Sequence, residues 1–207
     1  MSERMLLFGG TFDPVHHGHL IVARAAAEQG GYGSVTFVPA ASPPHKPGPQ
    51  ASGEDRAAML ALAAGDEGLF EVCRLELDRP GPNYTYDTIC ELRRLKGADV
   101  ELHWLIGADM LEEFPTWHRA LDVLDVARLV VAVRPPWHAR LGEIFGKLRG
   151  KLPARKLQSL ADSIVSTPLI DISATEIRRR IAEGLSVRFL TPDSVIGYIQ
   201  KHGLYTE

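Results

Sequence analysis

Short runs of apolar residues alternate with segments of helical periodicity along almost the whole chain. Each apolar run is bounded by glycine, proline or charged residues, and its length is typical of a buried β-strand. This pattern predicts strands at Met5–Phe8, Val35–Pro39, Phe70–Leu77, Val100–Ile106 and Arg128–Val133, with a short additional strand at Ser163–Thr167.

The segments between these runs favour helices. An alanine-rich stretch at Leu20–Gln29 ends at two consecutive glycines, which are typical of a helix C-terminus. Further helices are predicted at Glu54–Ala64, Tyr86–Lys96, Ala174–Glu183 and Pro192–Lys201, and two short ones within Asp109–Leu124. Pro135–Gln158 is the least regular segment, and arginine and lysine outnumber glutamate in it. We interpret it as either a peripheral insertion or an oligomer contact.

The alternation of strands and helices predicts a doubly wound α/β fold, in which helices cover both faces of a parallel sheet. We expect a single domain over residues 1–207, whose last third, about 168–207, is a helical subregion. In such folds ligands bind at the carboxyl ends of the strands, where the strand order reverses. The loops that follow the predicted strands are therefore the first places to look for a site.

Composition narrows the function classes. A hydrophobic fraction of 45% in 207 residues is enough for a core and argues against a disordered chain. The net charge of -3 gives no reason to expect a nucleic-acid polymer or a membrane surface as partner. Cys73 and Cys90 are too few and too far apart for a zinc site or a disulfide scaffold. No run reaches the ~18 apolar residues of a membrane span, and the N-terminal apolar stretch is too short for a signal peptide, so we expect a cytoplasmic protein.

The loop after the first strand, GGTFDPVHHGHL at Gly9–Leu20, concentrates the candidate chemistry. Its two glycines allow a tight turn and a close approach of the backbone to a ligand. It holds three of the eight histidines. His16 and His19 share a face if a helix begins there, whereas His17 points elsewhere. Imidazoles beside the free N–H groups of a helix N-terminus favour an anion, above all phosphate.

Other interpretations of this loop stay open at this stage. Two histidines three residues apart could bind a metal, but no carboxylate or thiol at suitable spacing completes a zinc set. A solvated, purely structural histidine cluster is the second alternative. The loop lacks the GxGxxG spacing of Rossmann dehydrogenases, and the chain has no GxxxxGK[ST] motif of P-loop proteins. The nearest string to the P-loop motif, GEIFGKL at Gly142, has the wrong spacing and lacks the Ser or Thr.

Two motifs resemble those of the nucleotidyltransferase superfamily. GTFDPVHHGH resembles its HxGH signature, which here runs from His16 to His19, and ISATEIR at Ile172–Arg178 resembles its ISxTxIR element. HxGH alone is similar to a string in class I aminoacyl-tRNA synthetases, but this chain has no room for an anticodon domain. The two motifs together, in this order, are a specific combination.

Within the superfamily, the chain most resembles the bacterial nicotinate-nucleotide adenylyltransferase family over nearly its whole length. The additional matching segments are PPHKP at Pro43–Pro47, NYTYDT at Asn83–Thr88, IGADML at Ile106–Leu111 with a following Trp117, Arg134-Pro135, and LTPDSVIGYI at Leu190–Ile199. One departure is Ala174, where the family usually has a second serine. A neighbouring backbone N–H could replace the hydroxyl that is lost near the phosphates.

This resemblance implies an adenylyltransferase. The 5′-phosphate of nicotinate mononucleotide would attack the α-phosphorus of ATP in line, giving deamido-NAD and pyrophosphate. Such chemistry needs positioning and charge neutralisation more than a covalent nucleophile. Mg²⁺ is the expected cofactor, which would arrive with ATP, bridge phosphate oxygens and need few protein ligands. The expected partners are the two small substrates, and a homo-oligomer is left open.

The resemblance also assigns site residues. His16 and His19 would act on the ATP phosphates as the catalytic pair. The other ATP-binding residues would be Gly9, Gly10, Thr11, Phe12, Gly18, Arg134, Ile172, Ser173, Thr175 and Arg178. The residues for nicotinate mononucleotide would be His45, Lys46, Thr85, Gly107, Asp109, Trp117 and His118.

Several of these residues have a structural alternative. Lys46 could be an exposed loop lysine, Asp109 could cap the next short helix, and Trp117 could pack beneath that helix. Trp104 is expected in the core. At the level of function, the alternatives are a nicotinamide mononucleotide or dual-specificity enzyme, a phosphopantetheine adenylyltransferase, and a catalytically silent nucleotide sensor.

Overall fold

The computed structural model describes residues 3–41, 48–133 and 137–206. Its strands are β1 (Arg4–Gly10), β2 (Val35–Pro39), β3 (Phe70–Val72), β4 (Glu101–Gly107), β5 (Arg128–Val133) and β6 (Ile164–Ser166). Its helices are α1 (His17–Gly30), α2 (Gly53–Ala64), α3 (Thr85–Lys96), α4 (Ala108–Glu113), α5 (Ala120–Val126), α6 (Trp137–Leu148), α7 (Ala154–Ala161), α8 (Ala174–Ala182) and α9 (Asp193–His202). A 3-10 turn at Phe114–Thr116 follows α4.

The six described strands pair in parallel in one sheet with the order β3-β2-β1-β4-β5-β6. The chain first builds outward from β1 to β2 and β3, and then crosses back so that β4 pairs with the other side of β1. Leu6 of β1 is therefore level with Val35 on one side and His103 on the other. The predicted doubly wound α/β fold is confirmed, and its strand order reverses between β1 and β4.

Both faces of the sheet are buried, which explains why its central strands are almost continuous apolar runs. Neighbouring residues of a strand point to opposite faces. Leu7 packs with Ile106 and helices α3 to α7, whereas Leu6 packs with Leu105 and helices α1, α2 and α9. This packing on two sides fixes the strand ends from which the site loops emerge.

Most predicted elements are confirmed in the described residues. The strands β1, β2, β4, β5 and β6 lie where the apolar runs place them, and the two short helices expected within Asp109–Leu124 are α4 and α5. Helix α1 begins at His17, earlier than the predicted start at Leu20. Its N-cap is His16, whose backbone N–H donates to the His19 side chain, so His19 does here what glutamate or glutamine usually does in a capping box. Among the described helices, none has the length and apolar character needed to cross a membrane.

The strand predicted at Phe70–Leu77 is wrong in its second half, since β3 ends at Val72. The backbone N–H of Cys73 still donates to the Phe37 carbonyl of β2. The next ladder bond would need an N–H donor at Pro39, which proline lacks. The chain turns instead, and the N–H of Leu77 donates to the carbonyl of Arg74.

The segment Pro135–Gln158 is more regular than its composition suggests, because it contains α6 and part of α7. Ile144 and Leu148 of α6 are buried in the core, which excludes a peripheral insertion. Their spacing of four residues places both side chains on one face of the helix. The alternative interpretation, an oligomer contact, stays a prediction.

A buried histidine makes the stability of the fold depend on pH. The Nδ1 atom of His103 lies 2.6 Å from the Tyr32 hydroxyl, and burial, aided by Arg128, lowers the pKa of the imidazole. The unfolded chain therefore binds this proton at higher pH than the folded protein does, and stability is lost as the pH falls below the ordinary histidine pKa of 6.5.

We expect His103→Asn to flatten the dependence of unfolding free energy on pH between pH 7 and 5, by up to about 1.4 kcal/mol per pH unit. Urea unfolding at several pH values measures this slope. Tyr32→Phe is the matched control, because it should lower stability while leaving a buried His103 and most of the slope. An unchanged slope in His103→Asn would contradict the assignment.

Candidate active site

Two adjoining cavities open at the carboxyl ends of β1 and β4, where the strand order reverses. The first, the histidine cavity, has a volume of about 440 Å³ and is lined by His16 and His19. The second, the tryptophan cavity, has a volume of about 620 Å³ and is lined by Trp117. The residues that line both are Phe8, Leu105, Ile106, Gly107 and Met110. This is the position at which a doubly wound fold binds its ligands.

The two histidines of the HxGH motif lie against each other in the histidine cavity. Their rings stack with centroids 3.6 Å apart. The backbone N–H of His16 donates to Nδ1 of His19 at 3.3 Å. Because Nδ1 accepts this bond, the proton of a neutral His19 is on Nε2, which is then a hydrogen-bond donor.

The surroundings of His19 keep its imidazole neutral. The rings of Phe12 and Phe8 meet it edge to face, with centroids 5.0 and 6.1 Å away. Burial is the main cause that lowers the pKa of His19 well below its ordinary value, and the neighbouring His16 lowers it further. A neutral donor of fixed orientation suits a phosphate oxygen on which charge develops during a reaction.

The start of α8 forms the far wall of the histidine cavity, through Ile172, Ser173 and Ala174. Ser173 is the N-cap, and its hydroxyl accepts from the backbone N–H of Glu176 at 3.2 Å. The first N–H groups of α8 therefore lie at the edge of the cavity, as an anion site at a helix N-terminus requires. Ala174 lies in this wall, so the serine hydroxyl that the family usually has at this position would face the histidine cavity region.

Arg178 and Thr175, both assigned to ATP, do not line either cavity in the described residues. The Nη1 atom of Arg178 donates to the backbone carbonyl of Asp13 at 2.6 Å, which ties α8 to the loop after β1. Thr175 lies beside it, with its hydroxyl 3.5 Å from Nη2 of Arg178. Arg178 therefore contacts the loop that leads to the HxGH histidines.

Asp109 belongs to the histidine cavity, although the resemblance assigns it to the mononucleotide. It lies in the first turn of α4, whose N-cap is Gly107, so it is not the capping residue. A Cβ on Gly107 would lie 2.2 Å from Oδ1 of Asp109, so a larger residue there would make the Asp109 carboxylate move. Within residues 3–41, 48–133 and 137–206, no cluster of three or more histidine, cysteine or carboxylate side chains could hold a metal ion.

The tryptophan cavity brings together several residues assigned to the mononucleotide: Gly107, Thr85, Trp117 and His118. Trp117 contacts the buried Phe114 with ring centroids 5.5 Å apart, so it packs on the core and also lines the cavity. Its backbone N–H already donates to the Phe114 carbonyl at 3.0 Å. Thr85 is the first residue of α3, whose N-cap makes no side-chain hydrogen bond.

The two glycines that end β1, Gly9 and Gly10, line the tryptophan cavity together with Thr11. A Cβ on Gly9 would lie 2.3 Å from the ring of Trp104. Trp104 is buried, as expected for a core residue, and its ring also lines the cavity. Glycine at this position therefore lets the backbone lie directly on the indole.

Sequence reasoning missed a polar group of this cavity, the carboxyl of Glu76. It accepts from the Thr88 hydroxyl at 2.7 Å, and burial raises the pKa of its carboxyl. Arg79 organises the same loop by donating to Asn83 at 2.9 Å and to Thr88 at 2.8 Å. The polar residues before the NYTYDT segment could have indicated a loop. The predicted strand extended wrongly to Leu77 and therefore placed Glu76 in a strand.

Three assigned residues, His45, Lys46 and Arg134, lie outside the described residues. Their roles stay predictions.

Comparisons with known proteins agree with this geometry. A family model described as cytidylyltransferase-like matches residues 7–180. A protein of Thermomicrobium roseum named nicotinate-nucleotide adenylyltransferase is 43% identical, over 98% of this chain and 92% of its own length. A protein of the same name from Thermus thermophilus is 44% identical, over 98% of this chain and 99% of its own length.

A solved structure shows the same fold. The nicotinic acid mononucleotide adenylyltransferase of Plasmodium falciparum complexed with NaAD matches with a TM-score of 0.74, covering 98% of this chain and 97% of that one. Its sequence identity of 15% supports the likeness of fold alone. With the family model and the two curated relatives, the family is settled: the chain belongs to the cytidylyltransferase-like family, among the nicotinate-nucleotide adenylyltransferases.

Proposed function

We propose that this nucleotidyltransferase joins nicotinate mononucleotide to ATP, giving deamido-NAD and pyrophosphate, a step of NAD biosynthesis. The observation that carries the proposal is the pair of adjoining cavities, one with the HxGH histidines and one with an aromatic wall. Relatives of that name, similar over 98% of the chain, support it. Because ATP is a substrate, we propose the cytoplasm as its compartment.

The shared wall of the cavities decides how the substrates meet. ATP binds in the histidine cavity and nicotinate mononucleotide in the tryptophan cavity, so their phosphates approach each other beside Gly107 and Phe8. An oxygen of the 5′-phosphate attacks the α-phosphorus of ATP as the bond to the pyrophosphate oxygen breaks on the opposite side. The neutral His19 donates from Nε2 to an oxygen of the α-phosphoryl group, where negative charge develops.

Mg²⁺ suits the histidine cavity as a companion of ATP. Magnesium prefers oxygen ligands and keeps several waters, so one carboxylate together with substrate phosphates is a sufficient donor set. Asp109 is the carboxylate that lines this cavity among the described residues. When bound, the ion would neutralise charge on the phosphate oxygens, and Asp109 would hold it directly or through water.

The tryptophan cavity suits the nicotinate half. Trp117 offers an aromatic surface to the pyridine ring, and the N–H groups at the start of α3, beside Thr85, favour its carboxylate. The second candidate acceptor is nicotinamide mononucleotide. Glu76 favours it, because a carboxyl oxygen in the same cavity can accept from a carboxamide NH₂.

Pyrophosphate release from MgATP distinguishes the acceptors. We expect nicotinate mononucleotide to be used at least about tenfold more efficiently than nicotinamide mononucleotide, since one hydrogen bond to a charged group is lost with the amide. Phosphopantetheine should release none. Comparable rates with acid and amide would support dual specificity, and no release with any acceptor despite ATP binding would favour a nucleotide sensor.

Replacing His19 tests the assigned donor. His19→Ala should lower kcat by about 10²–10³-fold, because one donor to the developing charge is removed, while ATP binding is partly retained. Steady-state kinetics and a binding titration measure the two effects. His17→Ala is the matched control: its side chain lines neither cavity in the described residues, so turnover should stay close to that of the wild type. Unchanged turnover in His19→Ala would rule out the role.

A further inference from the structure

The loop that joins β1 to α1, residues 11–16, owes its shape to side chains from distant parts of the chain. We call it the motif loop, because it ends at the first HxGH histidine. Phe12 in it has a positive φ of 50°, which a side chain other than glycine adopts only when surrounding contacts enforce it. The contacts that do so come from α2, from α8 and from the end of the chain.

The side chain of Asp13 is the centre of these contacts. Its carboxylate is buried, with 5% of the residue exposed. Oδ1 accepts from the Tyr205 hydroxyl at 2.7 Å and from the backbone N–H of Ala51 at 3.1 Å. Oδ2 accepts from the backbone N–H of Gln50 at 2.9 Å. A buried carboxylate is stable only when such donors satisfy it, so these three hydrogen bonds fix the position of the Asp13 side chain.

The backbone of the motif loop is held in the same way. Fully buried Arg56 of α2 donates to the Thr11 carbonyl at 2.7 Å. Arg178 of α8 donates to the Asp13 carbonyl at 2.6 Å, and the Thr191 hydroxyl donates to the Val15 carbonyl at 2.8 Å. His16 is the last residue of the motif loop, so a displacement of the loop would also displace the histidine pair.

Tyr205 is unusual among these anchors because it lies beyond α9, near the end of the chain. It is buried, and its backbone has a positive φ of 64°. Burial and the hydrogen bond to Asp13 raise the pKa of Tyr205, so its hydroxyl stays a donor. The hydrogen bond from this hydroxyl to Asp13 connects the C-terminal segment to the motif loop.

We propose that Tyr205 is a positioning residue for the reaction: its hydroxyl holds Asp13, and Asp13 holds the motif loop that places His16 and His19 against the ATP phosphates. The proposal rests on the proposed function for its kinetic consequence. It assigns to the last turn of the chain a part in catalysis although Tyr205 lines neither cavity in the described residues.

The chain offers a matched control for this hydrogen bond. Tyr198 of α9 donates from its hydroxyl to Oδ1 of Asp55 in α2 at 2.9 Å. This bond also joins the C-terminal region to the body of the protein and also has a carboxylate as acceptor. Among the described residues, no hydrogen bond or aromatic ring contact joins Asp55 or Tyr198 to the motif loop. Tyr198→Phe therefore reproduces the loss of a Tyr–Asp bond without disturbing the histidines.

The experiment compares Tyr205→Phe and Tyr198→Phe with the wild-type protein by thermal unfolding and steady-state kinetics. We expect both variants to lose some stability, but only Tyr205→Phe to lower kcat, by about ten- to hundredfold, with little change in KM for ATP. Equal kcat in both variants, or losses that follow stability alone, would overturn the proposal. Asp13→Asn, which keeps Tyr205 but weakens its acceptor, should give the same kinetic pattern and serves if Tyr205→Phe does not fold.

A second readout does not depend on the reaction. Histidine side-chain ¹H–¹⁵N spectra of the free protein should show shifted His16 and His19 resonances in Tyr205→Phe and unchanged ones in Tyr198→Phe. If the wild type failed to convert nicotinate mononucleotide, the proposed function would fall, and these spectra alone would decide the positioning role. Unshifted His16 and His19 resonances in Tyr205→Phe would refute it.

Discussion

The buried carboxylate of Asp13 joins the parts of the molecule on which the site depends. It takes hydrogen bonds from Gln50 and Ala51, just before α2, and from Tyr205 at the other end of the chain. A carboxylate removed from water is stable only when its oxygens are satisfied, so the loop after β1 can take its shape only once these segments are in place. His16, the N-cap of α1, ends that loop, so the position of the histidine pair depends on these long-range hydrogen bonds.

The topology of the sheet explains why two substrates can be handled side by side. Because β1 has β2 on one side and β4 on the other, the loops after β1 and β4 diverge and leave two cavities with one common wall. Both faces of the sheet are packed, so polar chemistry is confined to these strand ends. Gly9 lets the backbone at the end of β1 lie directly on the Trp104 ring in the tryptophan cavity, and Gly107 in the common wall leaves room for the Asp109 carboxylate.

The sequence was informative where a feature is local. The strands follow from apolar runs, and the histidine pair follows from a short motif placed at a strand end. Features that depend on a partner far along the chain were out of reach. The end of β3 depends on the missing N–H of Pro39, and the bond between Tyr205 and Asp13 spans 192 residues without any local signal. The ISATEIR motif identified Arg178 as a site residue. Its contact with the Asp13 carbonyl joins residues 165 positions apart, which the spacing within a motif does not reveal.

The most direct test of the central claim, that the two cavities hold the two halves of one dinucleotide, is a crystal structure of the protein with deamido-NAD. The adenylate half is predicted in the histidine cavity with its phosphate at Nε2 of His19. The nicotinate ring is predicted against Trp117, and the diphosphate beside Gly107. A dinucleotide bound in the opposite orientation, or outside these cavities, would contradict the assignment of both sites.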